Sequence, residues 1–113
     1  MKHLLIHAHG NTPELLAAAL RSARNTNVAL GPDADIHVVA QGPLVRLLIG
    51  GSPLSADIAE TLENANIHLQ ACENSMNGAG VTTTELLQRV STVPSAVAYL
   101  AERQWDGWAY ISI

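Results

Sequence analysis

DIHVVA, residues 35–40, followed at once by Gln41-Gly42-Pro43, reads as a short apolar strand cut off by turn residues. Upstream, HLLIHAH (3–9) is a second run of the same kind, and NTPELLAAALRSARN (11–25) follows it with helical spacing. Thr12 is placed to cap that helix, Pro13 stands at its first position, and Glu14 meets the positive end of the helix dipole. Leu15, Leu16, Ala19, Leu20 and Ala23 then fall on one face. Downstream, LVRLLIG (44–50) reads as a short helix, and Ser55 caps another whose apolar stripe is Ile58, Leu62 and Ala65. IHLQAC (67–72) is the third strand, and a loop carrying Gly78 and Gly80 follows. Thr82 and Glu85 form a capping box that predicts a helix over TELLQRV (84–90). Residues 91–93 are extended before Pro94, SAVAYLAERQ (95–104) is the last helix, and GWAYISI (107–113) the last strand. Strands alternating with helices, and apolar on both faces, predict an α/β fold: a three-layer α/β/α sandwich around a mainly parallel sheet of about five strands.

The chain has 113 residues, which predicts one domain over residues 1–113, because two halves would each be too small to bury a core. Its 17 Ala and 15 Leu suit helices lying close on a sheet. A single Cys excludes a disulfide framework and any structural zinc site built from several cysteines. Six Lys and Arg, spread along a chain of net charge −4, leave no basic stripe to follow a phosphate backbone, so nucleic acid is excluded as a principal ligand. The first ten residues, MKHLLIHAHG, are too short and too broken by His for a signal peptide, and no stretch is long enough for a membrane span. A cytoplasmic protein with no membrane partner is the expectation.

In open parallel sheets ligands sit outside the carboxyl ends of the strands. The residues leaving the first three strands here are His7 to Asn11, Gln41-Gly42-Pro43, and Cys72 to Met76. Cys72 carries the most chemistry: a thiol at a strand end, followed by free backbone N–H groups, has its thiolate stabilised. Glu73 beside it works in the opposite sense, and a lone Cys after an apolar strand otherwise serves as a small buried hydrophobe. With no second Cys, any thiol chemistry needs a partner thiol, a bound persulfide or a small sulfur donor. His7 and His9 project to the same side of a strand, half of a metal site that Cys72 could complete; two histidines bonded to backbone at a sheet edge is the plainer reading. HGNTPE (9–14) has the form of a phosphate-gripping loop of the flavodoxin type, but Tyr99, Trp105, Trp108 and Tyr110 all fall in the last helix and strand, where they do not bracket a flavin. Arg46 is the one basic residue near these strand ends, facing an anionic or sulfur-bearing ligand or simply solvent. No metal or cofactor is assigned on these grounds.

QGPLVRLL (41–48), ACENSM (71–76), GVTTTELL (80–87) and VPSAVAYLAERQWDGWAYI (93–111) together resemble the DsrE/DsrF-like family of small sulfur-relay proteins, nearest its stand-alone single-domain members. The resemblance runs from residue 35 to the end and is weaker over residues 10–34. It implies an α/β/α sandwich assembled as a trimer or hexamer, with Cys72 accepting and passing on a persulfide sulfur beside Asn74 and Ser75. Relatives often read His-Gly-Pro where this chain has Gln41-Gly42-Pro43, and Gln41 can hydrogen-bond but cannot titrate.

The expected function is therefore that of a sulfur carrier or sulfurtransferase-like protein, exchanging sulfur with donor and acceptor proteins through Cys72. Asn74, Ser75, Gln41, Gly42, His9 and Arg46 are expected to border one cleft with it. The alternatives are an oligomeric small-ligand-binding module of the same fold, with Cys72 as a wall residue, and a His/Cys metal-binding protein. A homotrimer is expected because so apolar a small domain leaves surface uncovered and its aromatic residues gather at one end.

Overall fold

The computed structural model of the chain describes residues 2–113. The elements are β1 (Lys2–His9), α1 (Pro13–Leu30), β2 (Ala34–Gln41), a 3-10 helix (Gly42–Leu48), α2 (Ser55–Leu62), β3 (Ile67–Cys72), α3 (Glu73–Ala79), a single 3-10 turn (Thr83–Glu85), β4 (Ser91–Val93), α4 (Ala96–Trp105) and β5 (Ala109–Ser112). The five strands form one sheet in the order β4-β3-β2-β1-β5, and every pairing is parallel.

This order fixes the layers. From β1 to β4 the chain steps steadily across the sheet, so right-handed crossovers put the intervening helices on one face. The last step runs back past β1, and the same handedness puts α4 on the other face. The first face holds the main core, in which Leu16 and Leu20 of α1, Leu44 and Leu48 of the 3-10 helix, Ile58 of α2 and Met76 of α3 pack on Ile6, Ile36, Val38 and Leu69. The second core is far smaller: Leu5, Val39 and Cys72 of the sheet with Ala96 and Leu100 of α4. Twenty buried side chains in the first cluster against five in the second make this an unequal sandwich. The fold class read from the sequence holds, but the strands are not apolar on both faces. His3, His7, Asp35, Gln41 and Gln70, only partly buried, and the exposed His68 share the second face.

Local readings hold where a signal is self-contained. The third strand spans 67–72 as read, and the last helix, read over 95–104, runs Ala96–Trp105 behind Ser95, whose side chain accepts the Ala98 N–H at 3.2 Å. They fail where tertiary contacts intervene. α1 runs five residues beyond the expected end, to Leu30, because Asn27 reaches Asn64 and Asn66 by side-chain hydrogen bonds and Gly31, at φ 85°, closes the helix. Thr12 and Ser55 make no side-chain cap. The capping box of Thr82 and Glu85 forms, yet it heads one 3-10 turn and not a helix over 84–90. There Leu87 donates its N–H to Leu48 and Arg89, at φ 72°, reaches the Leu62 carbonyl at 3.0 Å, so long-range partners replace helical ones. The expected loop after β3 is α3, which starts directly after Cys72 and is closed by Gly80.

Candidate functional site

β1, β2 and β3 all exit toward the first face, whereas β4 exits toward α4 on the second. The topological switch point, where neighbouring strands send their chains to opposite faces and leave a crevice, therefore lies between β3 and β4. Cys72 is the last residue of β3 and pairs with Val93 across that point. Its Sγ accepts the N–H of Ala96, the first residue of α4, at 3.3 Å. From α3, the Ser75 hydroxyl and the N–H groups of Ser75 and Asn74 favour its thiolate. Burial alone would push the thiol up; the Ser75 hydroxyl, then the N–H groups of Ser75, Ala96 and Asn74, outweigh it and hold the pKa below its ordinary value. Ser75 is well placed for this because its oxygen accepts the Gly42 N–H at 2.8 Å, which aims the hydroxyl hydrogen elsewhere. Glu73, expected to oppose the thiolate, turns toward β4, where its carboxylate accepts the Thr92 hydroxyl at 2.6 Å.

The expected single open cleft is not what forms. Cys72 is 3% exposed, covered by Ala96 and Leu100, because α4 lies over the second face at this strand end. His9, Gln41 and Cys72 do share that face, in one row at the carboxyl edge. His9 is exposed, and Asn74 offers the thiol its backbone while its side chain is exposed. Arg46, Gly42 and Ser75 line a separate depression of about 240 Å³ with Pro43, Gly78 and Ala79. Ser75 and Gly42 are what connect the two places. Gly42 is required there: it has φ 75°, and a Cβ on it would stand 3.0 Å from the His9 ring. Gln41 accepts from His7 Nε2 at 2.7 Å, and His7 Nδ1 meets the Tyr110 hydroxyl at 2.7 Å. Among the described residues, His7, His9 and Cys72 do not gather as one metal-ligating group.

Three solved structures share this architecture. The chain is similar to MTH1491 from Methanobacterium thermoautotrophicum, a protein of unknown function, at 28% identity over the whole of both chains and a TM-score of 0.89. It is similar to the ychN protein from E. coli at 21% identity, again over the whole of both chains, with a TM-score of 0.76. BT1422 from Bacteroides thetaiotaomicron, also of unknown function, matches 99% of this chain with 95% of its own at 21% identity and a TM-score of 0.69. No family model matches the sequence, and no curated protein does. The likeness fixes the fold and names no reaction.

The sequence reading missed a second cluster on the same sheet face. Asp35 and His37 lie two apart on β2, and His68 stands beside His37 on β3. Asp35 Oδ1 is 3.0 Å from His37 Nε2 and 3.2 Å from His68 Nε2, while His3 Nδ1 meets Oδ2 at 3.1 Å. Trp108 stacks on His3 at 4.4 Å and stands edge-on to His37 at 4.8 Å. Burial pushes the His37 imidazole below its ordinary value against the pull of the Asp35 carboxylate. The signal was present as Asp-x-His within DIHVVA and a polar residue interrupting IHLQAC. Among the described residues, no helix is long and apolar enough to cross a membrane.

Proposed function

We propose that residues 1–113 act as a single DsrE/DsrF-like domain that carries sulfur on Cys72. One observation carries the reading: the sulfur lies at the switch point, accepts the Ala96 N–H at 3.3 Å, and has the start of α3 beside it, where Ser75 and Asn74 favour an anionic sulfur. The sequence resemblance from residue 35 onward supports the same assignment. The Cys72 thiolate attacks the sulfane sulfur of a donor persulfide, the donor S–S bond breaks, and the donor leaves as a thiolate. The Cys72 persulfide then hands its outer sulfur to an acceptor thiolate as the Sγ–S bond breaks and the Cys72 thiolate returns. No net oxidant is consumed. Arg46, exposed at the depression beside Gly42 and Ser75, offers the charge that meets an anionic donor. Access to Sγ requires the first turn of α4 to lift, and α4 buries only Ala96 and Leu100, so that opening exposes little apolar surface.

Incubation of the protein with a sulfane donor, read by mass spectrometry, tests the reading. A +32 Da adduct is expected on the native chain and none on Cys72→Ser, whose melting temperature stays close to native. An unmodified Cys72 over a wide range of donors would overturn it and leave the fold as a ligand-binding module with Cys72 in its wall.

We further propose that the carrier is a homo-oligomer, most simply a trimer. β5 is an edge strand with every residue exposed, and Val97, Trp105 and Ile111 are 67, 82 and 51% exposed on α4 and β5. An uncovered strand edge beside apolar side chains invites pairing, and a second copy also supplies a wall that α4 alone does not. Light scattering coupled to size exclusion is expected to give about three times the 12.0 kDa chain mass. A monomer mass at micromolar concentration refutes the assembly.

A further inference from the structure

We infer that Asp35, His37 and His68 bind one divalent transition-metal ion, with zinc the best match, on the second sheet face. The three donor atoms lie within 4.8 Å of one another, two of the separations being 3.0 and 3.2 Å. Zinc bonds of about 2.0–2.2 Å in tetrahedral geometry place ligand atoms roughly 3.3 Å apart, so the side chains need only small shifts to accept the ion. Two imidazoles and one carboxylate are a donor set suited to zinc and to its first-row neighbours, unlike the all-oxygen sets of magnesium and calcium.

The sheet supplies the rigidity. Asp35 and His37 are held by the alternation of one strand, and His68 by its register opposite His37, with no loop in the set. The outer shell is also in place. Without metal, His37 Nε2 donates to Asp35 Oδ1 at 3.0 Å and His68 Nε2 stands 3.2 Å from the same oxygen. With metal on Nε2, the proton sits on Nδ1. In His37 that nitrogen already faces the Tyr99 hydroxyl at 2.7 Å and Gln70 Oε1 at 3.3 Å, and Gln70 Oε1 accepts the proton now held there. His3 holds the second oxygen of Asp35 at 3.1 Å, which orients the carboxylate. His68 has 44% of its side chain exposed, so a fourth position opens to solvent, the pattern of three protein ligands plus water. Arg103 of α4 has its guanidinium taken up over the rings of Tyr99 and Trp108 at 5.4 and 5.7 Å, and Arg89 is held by the Leu62 carbonyl at 3.0 Å.

Titration of metal-free protein with Zn²⁺, followed by calorimetry, is the test, with Co²⁺ as a spectroscopic probe. One Zn²⁺ per chain is expected, together with the visible absorption of low-coordinate Co²⁺. Asp35→Asn and His68→Gln, both close to isosteric, should weaken binding by more than the ~10–100-fold typical of an outer-shell change, and Gln70→Ala within that range. Imidazole ¹⁵N spectra of the native chain give a readout independent of variant folding: His37 and His68 Nε2 should shift at one equivalent while His9 does not. No saturable binding, or binding that survives Asp35→Asn and His68→Gln and is lost in His9→Gln, overturns the site.

Discussion

Leu69→Ala should cost about 3 kcal/mol of folding stability and Leu100→Ala clearly less, although both leucines are buried. Leu69 has no exposure and sits on β3 in the large cluster, between side chains of the sheet and the helices of the first face. Truncating it removes apolar contacts on every side, and sheet and helices, fixed by many other contacts, cannot collapse into the space. Leu100 belongs to a five-member cluster under one helix, where α4 can settle inward or water can enter from the polar remainder of the face. A domain of this size is stable by roughly 5–15 kcal/mol, so the Leu69 change removes a large share and should lower the melting temperature by about 10 °C or more. Chemical denaturation with unchanged slopes measures both variants. Equal losses would mean that the two faces contribute equally, against the asymmetry described above.

Ser75→Ala should slow alkylation of Cys72 at neutral pH by about tenfold and raise the pH at which reactivity sets in. A hydrogen bond to a charged group contributes about 1.5–3 kcal/mol, and the Ser75 hydroxyl, whose oxygen accepts the Gly42 N–H, is the strongest of the influences that favour the thiolate. The same environment has a pH signature in stability. The folded thiol titrates below its ordinary value of 9.0, so between its folded value and pH 9 the native state holds fewer protons than the unfolded chain. Its stabilisation is complete above the unfolded value and is lost as pH falls through the folded one. The melting temperature of the native chain should therefore rise relative to that of Cys72→Ser between neutral pH and about 9, and the rise should shrink in Ser75→Ala. Parallel profiles for native and Cys72→Ser would show that the thiolate is not stabilised, and the sulfur-carrier reading would lose its support.

Much of the fold was legible because its signals are local. The turn at Gln41-Gly42-Pro43 ends β2, the run at 67–72 is a strand, and the segment after Pro94 is helix α4, each set by backbone preferences that neighbouring residues do not override. The extension of α1 through Leu30 and the loss of helix over residues 86–90 were not legible, since Asn27, Leu87 and Arg89 take partners 27 or more residues away. The position of Cys72 at a strand end was readable from sequence. Its burial was not, because that depends on α4 crossing to the second face.

By itself, then, the sequence determined the α/β class, the parallel sheet and the strand-end placement of the thiol, all of which follow from periodicity and turn chemistry along the chain. Only the tertiary structure decided that β5 returns beside β1, that the two faces are unequal, and that Cys72 meets donors from two helices. It alone brought Asp35, His37 and His68 together. The physical reason is register: which residues become neighbours across strands depends on strand order and pairing, and these are fixed by burial summed over the whole sheet rather than by any stretch of the chain.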